Sequence, residues 1–209
     1  MIFYNEAWIL ERSLKALKNR VDWIVAVDGA YEHFPHSSVA SADGSLRIAE
    51  HYANTIVLAD SRKDGWPDEV EKRNAYLKHC KPGDWVLVVD ADEVLTGHLP
   101  KKLKGPGYRI PIRDRKDRYP LTEIFRLYRK GDATHYEGAH MCVFEDGELL
   151  NNREDIETLK PCDLKTQTGI ELVHHRLDRP PERANLKGEY VEWLVKHEEE
   201  FRQQWQPKS

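Results

Sequence analysis

An α/β fold, with a mostly parallel central sheet flanked by helices, follows from three features of the first hundred residues. Short apolar runs alternate there with stretches of helical periodicity, the pattern of strand and helix units stacked into one sheet. Trp85 to Val89 is a continuous apolar run bounded by turn signals, as a strand buried on both faces reads. Three apolar runs end in polar residues, at Asn5-Glu6, Asp28-Gly29 and Asp90-Ala91-Asp92. In open α/β sheets ligands bind outside such carboxyl ends.

Taken in order, Met1 to Tyr4 is the stub of a strand, and Asn5 is placed to cap a helix whose Ala7, Leu10, Leu14 and Leu17 recur at three- and four-residue spacing. Trp23-Ile24-Val25-Ala26-Val27 is a second strand, stopped by Asp28-Gly29. Tyr31 to Ser45, rich in His, Ser, Pro and Gly, is a loop. A helix over Ser45 to Tyr52 and a strand over Thr55 to Leu58 come next. Asp68, with Glu71 three residues on, opens a helix running to about His79. Lys81-Pro82-Gly83-Asp84 turns the chain into the buried strand, which delivers Asp90-Ala91-Asp92-Glu93 at its end.

Beyond residue 100 the strand candidates are Tyr108 to Ile112, Thr122 to Tyr128, His140 to Phe144 and Ile170 to His175. Pro180-Pro181 suits a first helical turn. Leu186, Tyr190, Trp193, Leu194 and Phe201 then line one face of a terminal helix. At 209 residues one domain spanning the chain is expected.

Hydrophobic residues at 40% and charged residues at 33% exclude a disordered or fibrous chain. No apolar run nears the ~20 residues of a bilayer-spanning helix, and no basic leader with an apolar stretch opens the chain, which points to the cytoplasm. Cys80, Cys142 and Cys162 have no CxxC spacing, so reduced, structural thiols are expected. The net charge of -4 hides a basic stretch: Lys101 to Lys130 holds eleven basic and three acidic residues, net +8, leaving -12 for the rest. Such a run is either a solvated face or a surface that meets a polyanion.

Asp90-Ala91-Asp92 projects two carboxylates at a strand end, and paired hard oxygens suit Mg²⁺ or Mn²⁺. Asp-x-Asp alone is a common turn motif. Here a buried strand precedes it and Arg73-Asn74 lies on the preceding helix, where a guanidinium could fork onto phosphate oxygens.

Together Tyr4-Asn5-Glu6-Ala7, Val25-Ala26-Val27-Asp28-Gly29, Lys72-Arg73-Asn74 and Gly83 to Glu93 resemble the family 2 glycosyltransferases of the GT-A fold, particularly small bacterial and phage members. The four segments follow the family's order and spacing and cover about half the chain. The resemblance implies the nucleotide-diphospho-sugar transferase, Rossmann-like architecture. Residues 1–98 would be a nucleotide-sugar-binding half, and residues 99–209 an acceptor-side half with the terminal helix. It implies that Tyr4, Asn5 and Glu6 border the nucleotide, that Asp28 contacts its base, and that Arg73 and Asp90 lie near ribose and diphosphate. Asp92 would bind the metal directly, with Asp90 beside it. Phe125 to Arg129 followed by His135 to His140 is similar to a family segment ending in a His-Glu pair, although Met141 stands where that Glu would be. Glu137 and His140 are therefore the candidates for the catalytic base. His174-His175 with Lys187 and Tyr190 resembles a segment whose histidine closes over the metal. Strand alternation lets only one of the pair reach the site, and His174 is favoured. Trp66 and Tyr108 either line subsites or lie in the core.

The implied reaction moves a sugar from a nucleotide-diphosphate sugar, a UDP-sugar, to an acceptor hydroxyl with Mn²⁺ or Mg²⁺. A nucleic-acid acceptor, such as hydroxymethylated bases of phage-type DNA, would use the basic stretch. A lipid-linked or surface saccharide is the alternative acceptor. A nucleotidyltransferase-like enzyme and a non-catalytic nucleotide-sugar-binding module are the rival functions.

Overall fold

The computed structural model describes residues 1–115, 120–138, 142–163 and 168–197. The chain begins with β1 (Ile2–Phe3), α1 (Ala7–Leu17), β2 (Val25–Asp28), α2 (Ser45–Tyr52) and β3 (Thr55–Leu58). The three strands form a parallel sheet in the order β1-β2-β3, with Phe3 level with Asp28 and Asp28 with Leu58. Helix α1 buries Leu10, Leu14 and Leu17, as the spacing requires. Its cap differs from expectation: Glu6 holds the N-cap position without a side-chain bond. Asn5, at φ +50°, instead turns its Oδ1 to the Ala42 N–H at 2.8 Å. Asp43 accepts from the Ala7 N–H at 2.9 Å, so a distant loop supplies the acceptor that the helix start needs.

Helix α3 (Glu69–Leu77) begins as its sequence predicts, with Asp68 accepting from the Glu71 N–H at 2.7 Å. Strand β4 (Trp85–Leu87) follows, and Val88 and Val89 beyond it stay buried. Then come β5 (Glu93–Gly97), β6 (Gly107–Asp114), β7 (Pro120–Arg129), β8 (His135–Tyr136), β9 (Val143–Glu145), β10 (Glu148–Leu149), β11 (Glu157–Thr158), β12 (Ile170–His174) and α4 (Pro181–Lys196). His140 and Met141 lie outside the described residues, and the strand expected over His140 to Phe144 is represented by β9.

The larger sheet runs β4-β7-β6-β12-β5, with β11 alongside β6. It is mixed: β4 with β7, β7 with β6 and β12 with β5 are antiparallel, while β12 and β11 each run parallel to β6. The expected mostly parallel sheet is thus confined to the first three strands. Between β6 and β7 only Arg115 to Tyr119 intervene, too few for the crossover a parallel pair requires.

Both faces of this sheet are covered. Leu10, Leu14, Ala26, Leu95, Ile110, Leu127 and Leu172 pack on one side. Val27, Tyr76, Val86, Val88, Phe125, Tyr128 and Tyr136 pack on the other. Neighbours such as Ala26 and Val27, or Leu127 and Tyr128, part to opposite faces as strand alternation dictates. Tyr108 belongs to the first cluster, and its hydroxyl accepts from the Lys104 N–H at 2.7 Å, so it is a core residue rather than a subsite wall.

Two ties bind β8 to α3. Asn74 donates to the Tyr136 carbonyl at 2.9 Å and accepts from the Tyr136 N–H at 2.8 Å. The buried hydroxyls of Tyr76 and Tyr128 lie 2.5 and 2.9 Å from that of Tyr136. All three cysteines are free. No helix among the described residues is long and apolar enough to cross a membrane.

Candidate active site

The turn after β4 is tied to itself: the Asp90 N–H donates to Glu93 Oε2 at 2.8 Å and the Glu93 N–H to the Asp90 carbonyl at 3.0 Å. Two arginines clamp Asp90. Arg73 Nη2, from α3, reaches Oδ1 at 2.9 Å, and Arg126 Nη2, from β7, reaches Oδ2 at 3.1 Å. Arg126 also meets Glu93 Oε1 at 2.6 Å, and Arg73 meets Glu69. Burial alone would raise the Asp90 pKa, but the two guanidinium groups outweigh it and hold the carboxyl below its ordinary range. For Glu93 burial wins over Arg126, and its pKa is pushed up to about 7.

Asp92 faces a different set. Its Oδ2 lies 3.2 Å from His174 Nε2 and 2.6 Å from Arg179 Nη2. Burial raises its pKa, yet the bond and charge of His174, helped by Arg179, lower it overall. In return Asp92 overcomes the burial that would depress His174, whose pKa rises. Alternation along β12 explains the selection. His174 stands opposite Glu93, whereas His175 is buried and pairs through Nδ1 with Asp178 at 2.9 Å. Glu6 completes the group, accepting from Trp8 Nε1 at 2.6 Å and from Arg183 Nη2 at 3.1 Å. Burial raises its pKa, against the pull of Arg183.

The expected nucleotide contacts are engaged within the protein. Asp28 is fully buried and takes both the N–H and the hydroxyl of Ser41. The Asn5 N–H donates to that same hydroxyl at 2.8 Å, and the Glu6 N–H to Ser45 Oγ at 2.7 Å. Together they fasten the 41–45 loop over the ends of β1 and β2. Tyr4 is buried, its hydroxyl donating to the Ser38 carbonyl at 2.6 Å, with Phe34 and Arg183 against its ring. Trp66 donates to the Asp28 carbonyl at 2.8 Å. At Gly29, with φ +127°, a Cβ would stand 2.7 Å from Ala59 Cβ, so only glycine fits the turn there. Beneath it Lys72, buried, donates to the Phe3 and Gly29 carbonyls. Burial brings its pKa down to about 7.

Of the residues named from the sequence, the structure brings Arg73 to Asp90 and His174 to Asp92, with Glu6 close enough to feel the Asp92 charge. Arg126, Arg179 and Arg183 escape the sequence reading. Glu137 is exposed, with His135 Nε2 at 3.3 Å as its side-chain partner among the described residues, and His140 lies outside them. Lys187 is exposed, and Tyr190 stacks on Tyr31 and Trp193. Much of the basic stretch is spent internally. Arg109 donates to the Ile156 and Asn151 carbonyls, Arg113 pairs with Glu171, Arg115 with Asp178, and Arg126 with Asp90 and Glu93. Lys101, Lys102, Lys104 and Arg129 are exposed, and Lys116 and Arg118 lie outside the described residues. A cleft of about 790 Å³ opens elsewhere, among Met1, Trp23, Val25, Trp85 and Leu87, and includes none of these site carboxylates.

Among the described residues no three His, Cys, Asp or Glu side chains form a ready metal cradle. Both Asp90 oxygens carry guanidinium groups. Asp92 and His174 remain as a carboxylate and imidazole pair. Mg²⁺ and related ions are ordinarily held by one or two carboxylates and completed by substrate phosphates, so the pair fits a cation that arrives with a phosphate.

No family model matches the chain. It is similar to a protein of Rickettsia bellii named an uncharacterized glycosyltransferase, 28% identical over 124 residues that make up 59% of this chain and 35% of that one. It is also similar to a TPR repeat-containing protein of Synechococcus elongatus, 23% identical over 164 residues, 74% of this chain and 37% of the other. The chain therefore spans about a third of the length of the curated relatives it matches. The likeness to a named glycosyltransferase reaches a substantial part of a mixed α/β chain whose carboxylates gather at strand ends, and it suggests a glycosyltransferase.

Proposed function

We propose that the chain is a glycosyltransferase of the GT-A, family 2 type, moving a sugar from a nucleotide-diphosphate sugar to an acceptor hydroxyl. The observation that carries this reading is the gathering of Glu6, Asp90, Asp92 and His174 beyond the carboxyl ends of β1, β4 and β12, where open α/β sheets bind ligands. The distant likeness to a glycosyltransferase supports the same class.

In this reading Arg73 and Arg126 fix the Asp90 carboxylate from both sides, so the turn carrying Asp92 is set before donor arrives. A Mn²⁺ or Mg²⁺ ion on Asp92 and His174 would supply Lewis-acid neutralisation of the leaving diphosphate. Tyr4, Asn5 and Glu6 border the nucleotide side, and entry of the base toward Asp28 requires the Ser41 clamp to yield. On the acceptor side Glu137, exposed beside His135, is the described candidate for the base that takes the acceptor proton. A saccharide acceptor, lipid-linked or at a surface, accords with the internal engagement of the basic stretch.

The test is donor breakdown: release of UDP from a UDP-sugar with Mn²⁺ present, followed in wild type and Asp92→Asn. Turnover in wild type lost in the variant supports the reading. Binding of UDP with no turnover under any acceptor condition would convert it to a non-catalytic nucleotide-sugar module. Pyrophosphate release from a nucleoside triphosphate would point to a nucleotidyltransferase-like enzyme. A gel shift with hydroxymethylated duplex DNA at low salt would restore the nucleic-acid acceptor.

A further inference from the structure

Arg179 and Arg183 have no part in the reaction as described, although their side chains are only 11% and 15% exposed and press against the site's carboxylates. Each meets its carboxylate through a single nitrogen. Arg179 uses Nη2 on Asp92; Arg183 uses Nη2 on Glu6 and on the Tyr4 carbonyl. Guanidinium groups bind carboxylate and phosphate best through two parallel N–H bonds, and here that fork is unspent. Arg179 Nε, Arg183 Nε and Arg183 Nη1 are buried without a hydrogen-bond partner among the described residues. A buried donor left unmade is costly, the more so on a charged group. Arg73 Nη1 and Arg126 Nε and Nη1, on side chains 2% and 3% exposed, are unpartnered as well. The Asp92 side is also crowded, because one oxygen serves both His174 and Arg179. Surplus buried cationic donors beside an overcommitted acceptor describe a place for an additional oxyanion.

We propose that Arg179 and Arg183 are diphosphate-binding residues, exchanging their one-nitrogen contacts with Asp92 and Glu6 for forked contacts with the donor's phosphates. The proposal rests on the reading of this site as one for a nucleotide-diphosphate sugar. It adds an exchange: when phosphate takes Arg179, Asp92 Oδ2 is released, so a divalent cation and a diphosphate strengthen each other's binding. That coupling is reciprocal by linkage. Arg179 precedes Pro180-Pro181 and Arg183 stands two residues beyond them, so both arginines lie at the start of α4, where proline fixes the backbone.

Inorganic pyrophosphate probes the phosphate grip without base or sugar. Calorimetric titration in EDTA is expected to show binding by wild type, weakened about tenfold or more in Arg179→Gln and in Arg183→Gln. The Lys variants, which keep charge and lose the fork, should fall between; they also serve where a Gln variant proves unstable by thermal unfolding. Mn²⁺ titrated alone is expected to bind Arg179→Gln about tenfold more tightly than wild type, since its competitor on Asp92 is gone, and pyrophosphate should no longer assist it. A merely structural arginine would move neither quantity. Pyrophosphate that does not bind wild type, or binds the folded variants equally, overturns the proposal. UDP separates the two failures: wild type that binds UDP with variants unaffected removes only the arginine assignment, whereas wild type that binds no UDP with or without Mn²⁺ removes the underlying function.

Discussion

On the Asp90 flank the arginines come from α3 and β7, elements at the centre of the fold, and their side chains are 2% and 3% exposed. On the Asp92 flank they come from just before and within the first turn of α4, a helix with no buried residue, and 11% to 15% of each side chain meets solvent. The two flanks have similar chemistry and different foundations. The first is a permanent fixture, whose loss strands charge in the interior. The second can be exchanged, because α4 is held over the 31–34 loop by ring contacts such as Tyr190 on Tyr31 and Phe34 and Trp193 on His33.

The largest effect expected from this contrast is on stability. Arg126→Met leaves Asp90 and Glu93 buried without their shared partner and should cost about 3–5 kcal/mol in denaturant unfolding. Arg179→Gln should cost about 1–2 kcal/mol. Equal losses would erase the distinction between the flanks. Next is function: Asp92→Asn should weaken Mn²⁺-dependent UDP binding by about tenfold or more while unfolding close to wild type. A variant that bound normally would show that the exchangeable flank is not the donor side.

A smaller effect concerns pH. Burial brings Lys72 down to about 7 in the fold from its ordinary 10.5 when solvated, so between these values the unfolded chain holds the extra proton. Stability should therefore rise with pH from about 7 toward 10, by at most about 1.4 kcal/mol per unit from this group. Lys72→Met should flatten that component of the slope, read as the difference between the two unfolding profiles; parallel profiles would show that Lys72 is not the buried titrating group. The smallest effect is on α4 itself. Tyr190→Ala should remove about 1 kcal/mol of stacking and speed amide exchange in α4 without altering exchange in α3. Uniform acceleration in both helices would mean that α4 is no separate unit.

The first half was legible because local rules govern it. Leu10, Leu14 and Leu17 fall at helical spacing and are buried, Asp68 caps α3, and the Trp85 run is a strand packed on both faces. Strand β5 was missed because its first residue, Glu93, is a buried acid whose partner Arg126 lies 33 positions away. Arg126 itself was counted as surface charge, since a tally of sign over a window cannot see which residues of β7 point inward. Arg179 and Arg183 were hidden by distance, meeting residues 87 and 177 positions earlier. His174 was readable over His175 because alternation alone separates them. The antiparallel pairings of the larger sheet were not, because apolar runs announce burial but not direction.

The doubled tie between Asn74 and the backbone of Tyr136, reinforced by the hydroxyl chain through Tyr76 and Tyr128, makes α3 and β8 a single lever. Arg73 sits next to Asn74 at one end, and Glu137 follows Tyr136 at the other. Any displacement of α3 at Arg73 must therefore carry Tyr136 with it, so one shared set of bonds sets the positions of Arg73 and Glu137 together.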